Sequence, residues 1–90
     1  MDLEAFDRFS RAYRAGLRTA VTSNPSDYAI HDDEMAEEYA ARCADKILAS
    51  IASNPRGVNY GGGGGFKLAC RALGIRYTRK AIWEYLQVTP

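Results

Sequence analysis

Ninety residues with 47% hydrophobic and 26% charged side chains are enough for one packed core, which excludes a chain of two independent domains and a polar disordered one. The net charge of +1 excludes a uniformly basic or acidic surface, yet the signs are segregated: residues 1–55 hold ten acids and six bases, and residues 56–90 hold one acid and six bases. Such asymmetry points to different partners for the two ends, or to contact between them.

Alanine is abundant and β-branched residues are sparse, which favours helix over strand because alanine loses no side-chain entropy in a helix. From Asp2 to about Val21, Leu3, Phe6, Phe9, Tyr13, Leu17, Ala20 and Val21 recur near the 3.6-residue period, predicting a first amphipathic helix. Arg8, Arg11, Arg14 and Arg18 run down its length. They read either as a stripe that tracks phosphates or as a solvated face whose stems cover apolar surface.

The turn formers Thr22 to Asp27, with Pro25 among them, end that helix. A second is predicted to start near His31 to Asp33 on an aspartate cap. Met35, Tyr39, Cys43, Ile47, Leu48 and Ile51 mark its inner face, with Ala36, Ala40, Ala44 and Ala52 beside it, and Asn54-Pro55-Arg56-Gly57 closes it. Alanines at this spacing let a neighbouring helix approach closely.

Asp27, Asp32, Asp33, Glu34, Glu37 and Glu38 fall in a stretch, between Arg18 and Arg42, that contains no lysine or arginine. Acids near a helix start complement its dipole. Clustered on a rigid helix, they also imitate a run of phosphates and draw in a positively charged groove. These six residues are the first candidate site, a docking surface for a basic partner.

Val58-Asn59-Tyr60 is too short to anchor a sheet, and the run Gly61 to Gly65 follows it. A phosphate-binding loop needs Gly-Lys-Ser/Thr after a buried strand. Here Phe66 precedes Lys67, Leu68 stands where the hydroxyl is required, and no strand comes before. The glycines read instead as a hinge over residues 56–65, or as a close pass of backbone against another surface.

Phe66, Ala69, Cys70 and Leu73 predict a short third helix ended by Gly74, and Thr78 caps a fourth with Ala81, Ile82, Tyr85 and Leu86 inside. Together, over residues 66–88, they make a helix-turn-helix-like hairpin. Cys70 supplies a small residue four before the turn glycine. Lys80, however, stands where an apolar packing residue is usual and Ile82 comes two later, so a longer turn or a different crossing angle is expected. A DNA-binding use places Lys67, Arg71 and Arg76 on phosphates and Arg79, Lys80 and Trp83 nearest base edges.

The string Phe66-Lys-Leu-Ala-Cys-Arg-Ala-Leu-Gly-Ile-Arg-Tyr-Thr-Arg-Lys-Ala-Ile-Trp-Glu-Tyr-Leu86 resembles the C-terminal segment of small proteins encoded by bacteriophages and prophages. The resemblance covers about a quarter of the chain and implies a mobile-element setting. Small proteins of that setting commonly act by binding, as DNA-holding regulators or as inhibitors of host nucleoprotein complexes such as anti-CRISPR proteins.

Chemistry is sparse. His31 has Asp32, Asp33 and Glu34 as neighbours, but consecutive helical residues diverge and seldom converge on one metal ion. Cys43 and Cys70 have no zinc spacing and no adjacent histidine, so both read as small buried hydrophobes. No carboxylate pair is isolated in apolar sequence as a proton-transfer dyad is. The expectation is a non-enzymatic, all-α, single domain of four helices, two long and antiparallel, that needs no cofactor or metal. No stretch approaches the roughly 20 apolar residues of a membrane span, and no signal region opens the chain. A cytoplasmic location is therefore expected. The preferred function is inhibition of a host nucleoprotein defence complex through the acidic surface. The competing one is DNA binding through the basic hairpin, and a homodimer joining acidic to basic ends is the third.

Overall fold

A computed structural model describes residues 1–62 and 64–89. The protein is a small all-α domain of four helices, α1 (Leu3–Ser23), α2 (Ala36–Ser53), α3 (Gly64–Leu73) and α4 (Arg79–Leu86), with single 3-10 turns at Pro25–Asp27 and Pro55–Gly57 and no strand among the described residues.

Asp2 caps α1 by accepting a hydrogen bond from the Glu4 amide at 3.1 Å. Its own amide donates to the Leu86 carbonyl at 2.9 Å, so the start of α1 is tied to the end of α4. Phe9, Tyr13, Leu17 and Val21 are buried as the periodicity predicts. Leu3 departs from it: as the first helical residue it precedes the packed turns and is 75% exposed.

The second helix starts later than predicted. His31 to Glu34 form a turn closed by the Glu34 amide on the His31 carbonyl at 3.0 Å, and α2 begins only at Ala36. Its end is organised by Glu38, whose carboxylate reaches back to accept from the Met35 amide at 3.2 Å. That contact satisfies an otherwise orphaned donor, so neither aspartate is needed as a cap. The inner face is also rotated from the expected one. Ala40, Ala44, Leu48 and Ile51 are fully buried, Tyr39, Cys43 and Ile47 only half-buried, and Met35 is 63% exposed. Small side chains bring α2 close to α1, and the bulky ones flank the seam. The salt bridge of Arg14 with Asp45 and the groove that Arg14 and Arg18 share with Glu37, Ala41 and Ala44 show the two helices to be antiparallel.

The glycine run is not wholly a hinge. Gly64 and Gly65 are the first two residues of α3, and Gly65 is buried. Gly63 lies outside the described residues. A Cβ on Gly16 of α1 would sit 2.8 Å from the Gly65 carbonyl oxygen, and one on Gly65 would sit 3.0 Å from Tyr13 Cε1. Gly16 lets the two backbones touch, and Gly65 leaves room for the Tyr13 and Leu17 side chains of α1. Phe66 follows directly and stacks on Tyr13 with ring centroids 4.4 Å apart, while Tyr60 meets its edge at 5.2 Å. The joint predicted over 56–65 is thus anchored at its C-terminal end in the core.

Gly74 takes the predicted left-handed conformation at φ 69°. Its amide donates to the Arg71 carbonyl at 3.2 Å and the Ile75 amide to the Cys70 carbonyl at 3.0 Å, the paired bonds of a Schellman stop. Thr78 caps α4, its hydroxyl oxygen accepting from the Ala81 amide at 3.0 Å. The connection from Gly74 to Thr78 is longer than the three or four residues usual in a DNA-binding hairpin. Ile82 and Leu86 are buried and Lys80 is exposed, so α4 packs by the later apolar position as its spacing requires. All four helices feed one continuous core.

Candidate functional site

The six acids of the first candidate site do not form one uniform surface. Glu34 accepts two hydrogen bonds from the Arg42 guanidinium, at 3.1 and 3.2 Å. The hydrogen bonds from Arg42, and then its charge, hold the Glu34 carboxyl below its ordinary range. Glu38 is engaged at the Met35 amide. Asp27 lies in the first 3-10 turn, Asp32 and Asp33 in the turn before α2, and Glu37 at the groove with Arg14 and Arg18. Asp27, Asp32, Asp33 and Glu37 therefore remain for an external partner.

The arginines of α1 are largely absorbed by the fold. Arg11 pairs with Asp7 one turn back, and Arg14 with Asp45 at 2.7 Å. Arg8 donates to the Tyr85 hydroxyl at 3.0 Å, which raises the guanidinium pKa further. Arg18 is exposed and in no salt bridge among the described residues, but a phosphate-tracking stripe would have to break the contacts of the other three, so the solvated-face reading fits better.

The basic segment behaves differently. Lys67 and Arg71, one turn apart on α3, are exposed on the side away from α1, and Arg76, Arg79 and Lys80 are exposed along the turn and the start of α4. Arg56 joins them from the second 3-10 turn, with its guanidinium 5.1 Å from the centroid of the Trp83 ring; Arg79 lies 5.8 Å from the same ring. Among the described residues, none of these six cations lies in a salt bridge. Glu84 is the one acid of residues 56–90, and it borders the groove lined by Arg76, Thr78 and Lys80.

Trp83 does not sit free at a base-reading position. Its indole N–H donates to the Pro55 carbonyl at 3.3 Å, and the Tyr60 hydroxyl donates to that same carbonyl at 2.6 Å. With Arg56 and Arg79 on its ring, Trp83 is a post that holds two cations in place. Sequence reasoning passed over Arg56, taken only as part of a helix stop, and Tyr77. Tyr77 is 38% exposed, and its hydroxyl donates to the Tyr60 carbonyl at 2.8 Å. An aromatic set between Arg76 and Arg79 was the available signal.

No group of three or more His, Cys, Asp or Glu among the described residues stands close enough to hold a metal ion. Cys70 is buried, which pushes its thiol pKa up, and Cys43 is half-buried. No helix is long and apolar enough to cross a membrane. The chain matches no family model, no curated protein and no solved structure.

Proposed function

We propose that this is a non-enzymatic binding protein that holds nucleic acid by its phosphate backbone, using Arg56, Lys67, Arg71, Arg76, Arg79 and Lys80. What supports this reading above all is that six cations share a region with a single acid, Glu84, and among the described residues none of the six lies in a salt bridge, whereas three of the six cations of residues 1–55, Arg11, Arg14 and Arg42, are paired. Unpaired guanidinium and ammonium groups on rigid helices gain by releasing counterions from a polyanion. The engagement of Trp83 and the presence of Glu84 on the outer side of α4 weigh against insertion of α4 into a major groove. Contact is therefore with phosphates and largely independent of sequence. Reversing Lys67 and Arg71 to glutamate should abolish retention of a labelled oligonucleotide at low salt, and reversing Asp32 and Asp33 to lysine should not. Equal retention by the Lys67→Glu/Arg71→Glu protein and the wild type would refute the reading.

A second reading keeps the acidic turn as the working surface, in anti-CRISPR-like inhibition of a host nucleoprotein defence complex. It is favoured by Met35, a 63% exposed apolar side chain that stands in sequence between Asp33 and Glu37. Charge reversal at Glu34 or Glu38 would disturb Arg42 or the start of α2, so the informative variants are Asp32→Lys, Asp33→Lys and Glu37→Lys. A pull-down from bacterial lysate, with and without nuclease, separates the two readings. Recovery of a protein complex that survives nuclease and is lost in the acidic variants would replace the first reading with the second.

A further inference from the structure

Between the loop Asn59 to Gly61 and the segment Tyr77 to Arg79 lies an open cleft of about 240 Å3, lined by these residues with Tyr60 and Thr78. Among the described residues no carboxylate borders it, whereas Glu37 borders the groove between α1 and α2 and Glu84 the one beside α4. Its polar groups are left as donors. Asn59 Oδ1 accepts from the Gly61 amide at 3.0 Å, which leaves the carboxamide N–H groups for a ligand. The Thr78 oxygen accepts from the Ala81 amide, which leaves its hydroxyl proton. Arg79 is not in a salt bridge and is held against the Trp83 ring. The Tyr77 ring is fixed through its hydroxyl on Tyr60 and remains part-exposed at the edge of the cleft.

A cation, neutral donors and an exposed aromatic ring, with no anion among them, match a phosphate joined to a flat base. We propose that this cleft seats one unpaired nucleotide of a single-stranded nucleic acid. The phosphate lies by Arg79, Thr78 and Asn59, and the base stacks on Tyr77. The base must be unpaired because in a duplex its faces are covered by its neighbours, while a single strand offers them to aromatic side chains. Trp83 acts here as a positioning residue for Arg79. The inference rests on the basic surface being a nucleic-acid site, and it adds a preference that phosphate contacts alone would not produce.

Fluorescence anisotropy with a labelled oligothymidine strand and the corresponding duplex, at one salt concentration, tests it on wild type, Tyr77→Leu, Tyr77→Phe and Lys67→Ala. Wild type should bind the strand more tightly than the duplex. Tyr77→Leu should weaken strand binding by about 5- to 150-fold, the worth of one base–aromatic stack, and leave the duplex unaffected. Tyr77→Phe, which keeps the ring, should retain the preference, and Lys67→Ala should weaken both forms alike. Thymidine monophosphate should displace the strand at concentrations where inorganic phosphate does not. Equal affinity for strand and duplex, an unchanged Tyr77→Leu protein, or equal displacement by the two competitors would overturn the cleft assignment while leaving the basic-surface reading intact. If Tyr77→Leu does not fold, the wild-type preference and the competitor pair decide. Failure of wild type to bind either form would overturn both.

Discussion

Before Asn54 acids outnumber bases ten to six and half of the cations are paired: Arg11, Arg14 and Arg42 each hold a carboxylate, Arg8 holds the Tyr85 hydroxyl, and Arg18 and Lys46 lie in no salt bridge among the described residues. After it, among the described residues, Arg56, Lys67, Arg71, Arg76, Arg79 and Lys80 hold none, and two of them lie against the Trp83 ring in exposed positions. Stability does not require the difference, because exposed ion pairs are worth only about 0.2–1 kcal/mol. Both regions draw their stability from the shared core around Phe9, Tyr13 and Phe66. The charges of the C-terminal region are thus left over from folding and available for binding.

The comparison breaks most severely where the two regions are joined. Phe66→Ala removes the ring that packs on Phe9, Tyr13 and Tyr60, and should cost about 3–5 kcal/mol in denaturant unfolding. Gly16→Ala places a methyl group against the Gly65 carbonyl and should cost about 1–3 kcal/mol, because backbone on the far side cannot move away as a flexible side chain would. Little loss on Gly16→Ala would show that α3 is not locked to α1 and would restore a loose joint.

Smaller effects separate the regions by charge. Arg42→Ala should lower the melting temperature slightly and Arg71→Ala hardly at all, since only the first loses a carboxylate partner. For oligonucleotide binding the order should reverse. Titration adds a second contrast. Glu34 ionises more readily in the fold than in the unfolded chain, so its stabilising contribution is present at neutral pH and disappears as pH falls through its lowered folded value. Melting temperatures followed from pH 7 into acid should fall less for Glu34→Gln than for wild type. Burial pushes the Tyr13 phenol up to about 12, so its contribution is full below the ordinary phenol range near 10 and is lost as pH rises toward 12. Tyr13→Phe should leave neutral stability almost unchanged and move alkaline unfolding to higher pH.

Much of the fold was legible because local rules and packing agreed. Phe9, Tyr13, Leu17 and Val21 carry a helical period that no other structure satisfies, and Gly74 and Thr78 have local chemistry that fixes a stop and a start. The start of α2 was misplaced because Asp32 and Asp33 look like caps by residue type, whereas Glu38, reaching back to the Met35 amide, sets the start at Ala36. The inner face of α2 turned toward the alanines because closeness to α1, a tertiary quantity, outweighs side-chain size. Gly64 and Gly65 could be read as a hinge or as a close backbone pass because glycine permits both, and the choice depends on Gly16, far away in sequence. At the candidate site the cations were visible, but their lack of partners was not, nor was the engagement of the Trp83 indole by Pro55. Those are facts about what lies nearby in space.

If the C-terminal cations are free to meet phosphates, single-strand binding should depend steeply on salt. The logarithm of the association constant should fall linearly with the logarithm of salt concentration, with a slope of about −0.7 for each phosphate neutralised. Arg71→Ala and Lys80→Ala should each reduce the steepness by about that one increment, and Arg42→Ala should not change it. A slope near zero for the wild type, or one that Arg42→Ala reduces as much as Arg71→Ala does, would contradict the account.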